Sequence, residues 1–344
     1  MAATAPQRIL VVRNDRLGDT VLTLPAIVAV KEAFPRATCA VLVESGLLEL
    51  LQHVPVADLW LSDDVAGGSG LLARLVRRHP FDAALVIHTN TRNALAVWRA
   101  GIPRRVTWSG KPMGRLLGNC RVDVRRSHPP IHEADFAMKF VERLAGRRLE
   151  RPSPPRPSFP APLQAAVAMR LTRWRSDGRP CCLVHPGNRG SAFNWPVYRY
   201  AELVRELDRF ATVLVSGGPG EEGLVRRVRE LAGDRGIPVV GWSLPEFASL
   251  VEQVDGLVVS STGPMHLAGW LGTPVVALFS RHPVHSPQKW SPLGNHHTII
   301  QPRLAGQSET RLSTAPEQME RIDVETVLKA VLRHVMAPAG DDVA

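Results

Sequence analysis

Four short stretches of this 344-residue chain carry side chains whose types and spacing could do chemistry. In Gly256 to Pro274, an apolar run, Leu257-Val258-Val259, stops at Ser260-Ser261-Thr262-Gly263-Pro264. The pattern then predicts a helix over Met265 to Leu271 with His266 in its first turn. Strand, hydroxyl-and-glycine turn and helix together present backbone N–H groups and a helix N-terminus to an anion. Ser261 and Thr262 add hydroxyl donors, and Gly263 lets a phosphate approach the backbone. The same residues also fit an ordinary helix cap, because Ser and Thr cap helices of every kind.

The other three turns repeat that logic. Asp15-Arg16-Leu17-Gly18-Asp19-Thr20 follows the apolar Ile9 to Val12. Gly18 permits a tight strand-to-helix turn, and Asp19 falls at a helix start, either as an N-cap or as a catalytic carboxylate at a sheet's carboxyl edge. The G-x-G-x-x-G spacing of a dinucleotide site is missing. His185-Pro186-Gly187-Asn188-Arg189-Gly190-Ser191-Ala192-Phe193-Asn194-Trp195-Pro196 follows Cys182 to Val184. Such a loop can wrap a phosphate with N–H groups or be plain surface. In Ser216-Gly217-Gly218-Pro219-Gly220-Glu221-Glu222, Glu222 lands in the first turn of a helix. It can accept from a ribose diol or simply favour the helix dipole. His185 and His266 belong to no set with metal-ligand spacing, and neither a G-x-S-x-G elbow nor a Walker A loop occurs, so no metal and no cofactor is expected.

Alternating strands and helices must position these turns. The first half reads as strand Ile9 to Val12, helix Thr20 to Ala33, strand Thr38 to Val43, short helices Leu47 to Gln52 and Leu71 to Arg78, strand Ala83 to Ile87 and helix Ala134 to Ala145. Residues 151–162, rich in proline, read as an extended linker that is neither helix nor central strand. The second half offers strands Cys182 to Val184, Thr212 to Val215 and Val239-Val240. Its helices are Tyr198 to Leu207, Glu221 to Leu231 and Pro245 to Gln253, with a closing helix Val324 to Val335. The reading is therefore α/β, with two doubly wound Rossmann-like domains at 1–150 and 163–322 and a C-terminal helix and tail at 323–344. Two such sheets facing each other hold a ligand in the cleft beyond their strand ends.

Composition sets the class. Hydrophobic residues make up 44% and charged ones 22%, enough apolar side chain for two cores. A net charge of +10 points to an anionic partner. Much of it lies in Arg92, Arg99, Arg104, Arg105, Lys111, Arg115, Arg121, Arg125 and Arg126, against the single acid Asp123. Only Trp98 and Trp108 interleave with that run, which disfavours nucleic acid. A solvated basic face fits it as well as an anionic ligand does. Cys39, Cys120, Cys181 and Cys182 have no C-x-x-C spacing and fit reduced, buried thiols. With no signal-peptide pattern and no membrane-length apolar stretch, a cytoplasmic protein is expected, at most peripheral at the inner membrane.

Taken in order, RILVVRNDRLGDTVLTLPAI, VHPGNRGSAFNWPVYRYAEL, SGGPGEE and VVSSTGPMHLAGWLGTPVVALFS resemble glycosyltransferase family nine, the ADP-heptose:lipopolysaccharide heptosyltransferases. His285 to Pro292 also looks like that family's loop after the last core strand. The resemblance implies a GT-B fold, with a nucleotide-sugar donor held mainly by the second domain and the acceptor mainly by the first. It implies inverting transfer without a metal, and makes Asp19, in the Gly18-Asp19 turn, the general base. Thr262 and Gly263 match its diphosphate turn and His266 its helix histidine. Gly18, Gly187, Asn188, Arg189, Ser191, Glu222 and Ser261 complete the expected nucleotide-sugar site. Arg92, Arg104, Arg105 and Lys111 are the expected contacts to an anionic glycolipid acceptor.

Two positions depart from that pattern. Ser261 stands where better-studied members have Asp, and Phe193 stands where they have Lys. A point charge for phosphate is thereby lost, which Arg189 could replace. Both changes leave another nucleotide sugar open as donor, and a non-catalytic sugar-binding protein is the reading from a different class.

Overall fold

The computed structural model describes residues 5–64, 68–126, 130–175, 178–190, 192–303 and 315–336. The chain divides into two compact units, Met1–Ser158 and Phe159–Ala344. In the first, β1 (Arg8–Arg13), α1 (Leu17–Ala33), β2 (Thr38–Glu44), α2 (Leu48–Leu51), β3 (Leu59–Asp63), α3 (Ser69–Arg77) and β4 (Ala83–Val86) come in turn. They continue as α4 (Thr91–Arg99), β5 (Arg104–Trp108), α5 (Pro112–Leu117), β6 (Cys120–Val122) and α6 (Glu133–Ala145). The six strands pair in the order β3-β2-β1-β4-β5-β6, every pair parallel. Ile9 to Val12 is buried throughout because β1 lies between β2 and β4 with helices over both faces. On one face Leu10, Val12, Ala84 and Val86 pack with Leu72, Val76 and Val97 of α3 and α4. Helices α1 and α6 pack against each other.

The second unit runs α7 (Ala161–Trp174), β7 (Cys181–His185), α8 (Val197–Leu207), β8 (Thr212–Ser216), α9 (Glu222–Leu231), β9 (Ile237–Val239), α10 (Leu244–Gln253) and β10 (Gly256–Ser260). It ends with α11 (Gly263–Leu271), β11 (Val275–Leu278), α12 (Pro287–Trp290), β12 (His297–Ile300), α13 (Ala315–Glu320) and α14 (Val324–Met336). Its sheet is again all parallel, β12-β11-β10-β7-β8-β9. Trp195 and Tyr200, both fully buried, meet edge to face at 5.1 Å in the core beside Val184, Val204 and Val327. Ser243 and Glu246 form a capping box at the start of α10. Gly272, at φ 79°, ends α11 in the left-handed conformation that other residues resist.

Several elements lie where sequence reading placed none. The basic run Thr91 to Ser127 contains α4, β5, α5 and β6. Helix α7 begins at Ala161, so the last two residues of the proline-rich 151–162 stretch are helical, with Pro160 as N-cap and Pro162 in the first turn. Proline is compatible with helix there because those N–H groups have no intrahelical partner. Among the cysteines, Cys39, Cys181 and Cys182 are buried and Cys120 is half-buried; all four are free thiols. Among the described residues no helix is long and apolar enough to cross a membrane.

Candidate active site

In an open parallel sheet, ligands bind beyond the strand carboxyl ends where the strand order reverses. That switch point lies between β1 and β4 in the first unit and between β10 and β7 in the second. All four chemically interesting turns begin at one of these strands or at β8, next to β7.

At the first switch point, β1 ends in Arg13, a residue only 2% exposed. Three carboxylates surround it. Asp19 Oδ1 is 2.5 Å from Nη2, Asp15 Oδ1 is 3.0 Å from Nε, and Glu133 Oε1 is 3.2 Å from Nη2. Burial alone disfavours the cation, but Asp15, Asp19 and Glu133 outweigh it and raise the Arg13 pKa. Glu133, the first residue of α6, also takes a hydrogen bond from Arg126, whose guanidinium stacks 4.3 Å from the Phe136 ring. Asp19 is the third residue of α1; the N-cap is Arg16, without a side-chain cap bond. The helix-cap role for Asp19 therefore fails, and its carboxylate is partly open at a side-chain exposure of 21%. Buried Gly18 precedes it in the same turn.

His88 follows β4 across the switch point. Its Nε2 accepts from Asn90 Nδ2 at 3.3 Å, and its Nδ1 faces Asn14 Oδ1 at 3.2 Å. Asn14 Nδ2 donates to Asp63 Oδ2 at 2.5 Å and Asn93 Nδ2 donates to Asn14 Oδ1 at 2.7 Å, which orients the amides and makes Nδ1 the protonated nitrogen of His88. Burial and the charge of Arg13, together with Lys111 and Arg92 and against Asp19, lower His88 to a pKa of about 4, so it is neutral at ordinary pH. Burial likewise lifts Asp15 to about 7, with Asp19 and Glu133 adding to the shift and Arg13 opposing it.

The expected acceptor arginines separate. Arg92 forks onto Asp63 at 2.5 and 2.7 Å and, like Lys111 at the N-cap of α5, acts electrostatically on His88. Arg104 and Arg105 begin β5, where Arg104 is in register with Ala83 at the start of β4. Both thus sit at the sheet's amino edge, away from Asp19 and His88. Arg105 donates to the Leu117 carbonyl at 2.8 Å and the Ile102 carbonyl at 2.6 Å, a structural tie between the end of α5 and the segment before β5.

At the second switch point, β10 ends at Ser260, and Ser261 donates its N–H to Leu278 O at 3.2 Å. Thr262 occupies the N-cap of α11 but makes no cap bond. Its hydroxyl is buried and has no hydrogen-bond partner among the described residues. Gly263 opens the helix, and His266 is buried in its first turn. A buried orphan hydroxyl at a helix N-terminus suits an anion that brings its own acceptor atoms. Behind the turn, Asn194 Oδ1 accepts from Ser260 Oγ at 2.9 Å and Tyr200 Oη at 3.0 Å, while Asn194 Nδ2 donates to Pro186 O at 2.5 Å. This clamp joins the two turns and was not among the expected site residues. Asn194, Tyr200 and Ser260 are separated in sequence and look individually ordinary.

The loop after β7 is shaped by one carboxylate. Glu221, the N-cap of α9, accepts from Gly218 N at 2.8 Å and Arg189 N at 3.2 Å, and its Oε2 is 3.9 Å from His185 Nε2. A Cβ at Gly187 would overlap that carboxylate, so any larger residue there would have to displace Glu221 from these bonds. Arg189 has φ 45°, a left-handed conformation uncommon for a residue other than glycine, and is exposed. Asn188 Nδ2 donates to Ala192 O at 2.7 Å and its Oδ1 accepts from Gly190 N at 3.0 Å, bracing the loop. Glu222 is exposed and accepts a local bond from Gly220 N at 3.3 Å; the inward carboxylate is its neighbour Glu221. Ser191 lies outside the described residues. His185, 6% exposed, pairs through Nδ1 with Ser216 Oγ at 2.9 Å, and burial lowers it to about 4 against the pull of Glu221. Phe193 meets the rings of His282 at 5.6 Å and His285 at 5.4 Å. Among the described residues, no group of three His, Cys, Asp or Glu could hold a metal ion.

Two six-stranded parallel sheets, each with its polar groups at the switch point, give the chain the GT-B fold. The chain belongs to glycosyltransferase family 9 (heptosyltransferase), whose model matches residues 70–318. It is similar to lipopolysaccharide heptosyltransferase 2 of Escherichia coli K12, at 23% identity over 96% of this chain and 98% of that protein. The structure of E. coli ADP-heptose lps heptosyltransferase II superposes with a TM-score of 0.78 at 21% identity, covering 96% of this chain and 99% of that one. A family 9 glycosyl transferase from Veillonella parvula gives 0.80 at 19% identity, covering 96% and 97%.

Proposed function

We propose that this chain transfers heptose from ADP-heptose to a lipopolysaccharide core-type acceptor with inversion and without a metal. The observation that carries the reading is Asp19: a half-open carboxylate, fixed by buried Arg13, at the carboxyl edge of the first sheet. Asp19 takes the proton of an acceptor hydroxyl as that oxygen attacks the anomeric carbon from the face opposite the leaving nucleotide. The bond to the diphosphate breaks as the glycosidic bond forms. Negative charge developing on the diphosphate is met by the α11 N-terminus and the Thr262 hydroxyl. Glu221, which already spans both glycine turns, is better placed than Glu222 to meet a ribose diol. Lys111 and Arg92 supply positive charge on the acceptor side, which suits an anionic glycolipid presented at the cytoplasmic face of a membrane.

A second reading keeps the mechanism and changes the donor. Phe193 stands in a ring cluster with His282 and His285, chemistry that differs from an ammonium group at that position. Transfer assays with purified ADP-heptose and a heptose-deficient lipopolysaccharide acceptor decide between them. Asp19→Asn is expected to lower kcat about a thousandfold, the scale of a lost general base. Full turnover in that variant removes Asp19 from the mechanism, and transfer from a different nucleotide sugar alone selects the second reading.

A further inference from the structure

We propose that Asp15 is a positioning residue for the base: by sharing the Arg13 guanidinium with Asp19, it sets how strongly Asp19 draws the acceptor proton. This rests on the reading of Asp19 as the base. The cluster contains three carboxylates, Asp15, Asp19 and Glu133, and two guanidinium groups, Arg13 and Arg126, so it carries one negative charge in excess. Glu133 is closed off at 2% side-chain exposure and held by both arginines. Asp15 and Asp19, at 19% and 21%, are the two members open enough to exchange a proton. Asp15 faces Arg13 from β1, Asp19 from α1, Glu133 from α6 and His88 from the end of β4, where Nδ1 lies 3.9 Å from Asp15 Oδ2.

Those neighbours dictate the coupling. When Asp15 is ionised, it draws on Arg13 and repels charge on Asp19, so Asp19 is the stronger base. When Asp15 is protonated, Arg13 is left to Asp19 and stabilises its anion, so Asp19 is the weaker base. His88 is neutral and adds no charge to either state, and Lys111 and Arg92 help to keep it so. Asp15 itself takes no proton from the acceptor; that proton goes to Asp19. Because Asp15 titrates near 7, its change of state falls in the neutral range.

The test is the pH dependence of kcat in wild type, Asp15→Asn and Asp15→Glu. Wild-type kcat is expected to rise between about pH 6 and pH 8, following one ionisation. Asp15→Asn should lower kcat at the high end about tenfold, leave both KM values within about twofold, and abolish the rise. Asp15→Glu should restore rate and rise together. A wild-type rate and rise in Asp15→Asn overturns the proposal, and so does a flat wild-type profile, which needs no variant to fold. Transfer retained in Asp19→Asn instead defeats the base reading, whereas an inactive Asp19→Asn beside an unaltered Asp15→Asn defeats only this proposal.

Discussion

The two halves of the molecule share one topology and opposite chemistry at its switch point. In the first unit the crevice between β1 and β4 holds buried and half-buried charge, three carboxylates on Arg13 with Arg126 behind. In the second, the crevice between β10 and β7 holds hydroxyls, glycine N–H groups, a neutral His185 and one carboxylate, Glu221, spent on internal N–H bonds. The fold offers each sheet the same location, and the side chains decide what it does. A proton acceptor needs a carboxylate whose basicity is tuned by neighbouring charge. An anion seat needs donors without competing acceptors, and it can tolerate an unsatisfied hydroxyl until the anion arrives.

The sharpest way to break this contrast is to remove its keystone in each unit. Arg13→Met would leave three carboxylates around an apolar side chain, at a cost of about 3–5 kcal/mol for a buried charge stripped of its partner. Ser216→Ala removes one neutral hydrogen bond from His185 and should cost about 1–3 kcal/mol. Hydrogen exchange resolved by unit measures both, and equal losses would mean that the first cluster is no more charged in effect than the second.

A smaller effect separates the units by pH. His185 is held near 4, and His285, His297 and His334 are also lowered by burial. A histidine kept neutral in the fold but free to protonate when unfolded loses stability as pH falls from 6.5 towards 4. In the first unit His88 acts the same way, but Asp15 opposes it. A carboxyl raised to about 7 stabilises most below its ordinary value of 3.8, and that contribution is lost as pH rises through 7. Acidification from about pH 6.5 to pH 4 should therefore open the second unit more than the first in hydrogen exchange. Matching changes in both units would contradict the assigned charge states.

Much of this was legible in the sequence, for a physical reason. Ile9 to Val12, Cys182 to Val184 and Leu257 to Val259 are short apolar runs ending in Gly, Ser or Asp turns, and central parallel strands must look like that because both faces are covered. Edge elements do not. Strands β5 and β6 are short, half-exposed and rich in arginine, so a positive charge run hid them. That same run brought Arg104 and Arg105 among the expected acceptor contacts: they count equally with Lys111 by charge, but strand direction puts them at the sheet edge opposite Asp19 and His88. Glu221 and Glu222 are indistinguishable as letters, and only the helix's rotation turns the first one inward. Neither the Arg13 cluster nor the Asn194–Ser260–Tyr200 clamp stands out in the sequence, since Glu133 completes the first and Ser260 the second from far along the chain.

The central claim, a base in one unit and an anion seat in the other, is tested most directly by calorimetric titration of ADP-heptose into Asp19→Asn and Thr262→Val side by side. The account predicts donor affinity within about twofold of wild type in Asp19→Asn, and about tenfold weaker in Thr262→Val, the scale of one hydrogen bond to a charged group. Donor binding lost in Asp19→Asn, or unchanged in Thr262→Val, would contradict it.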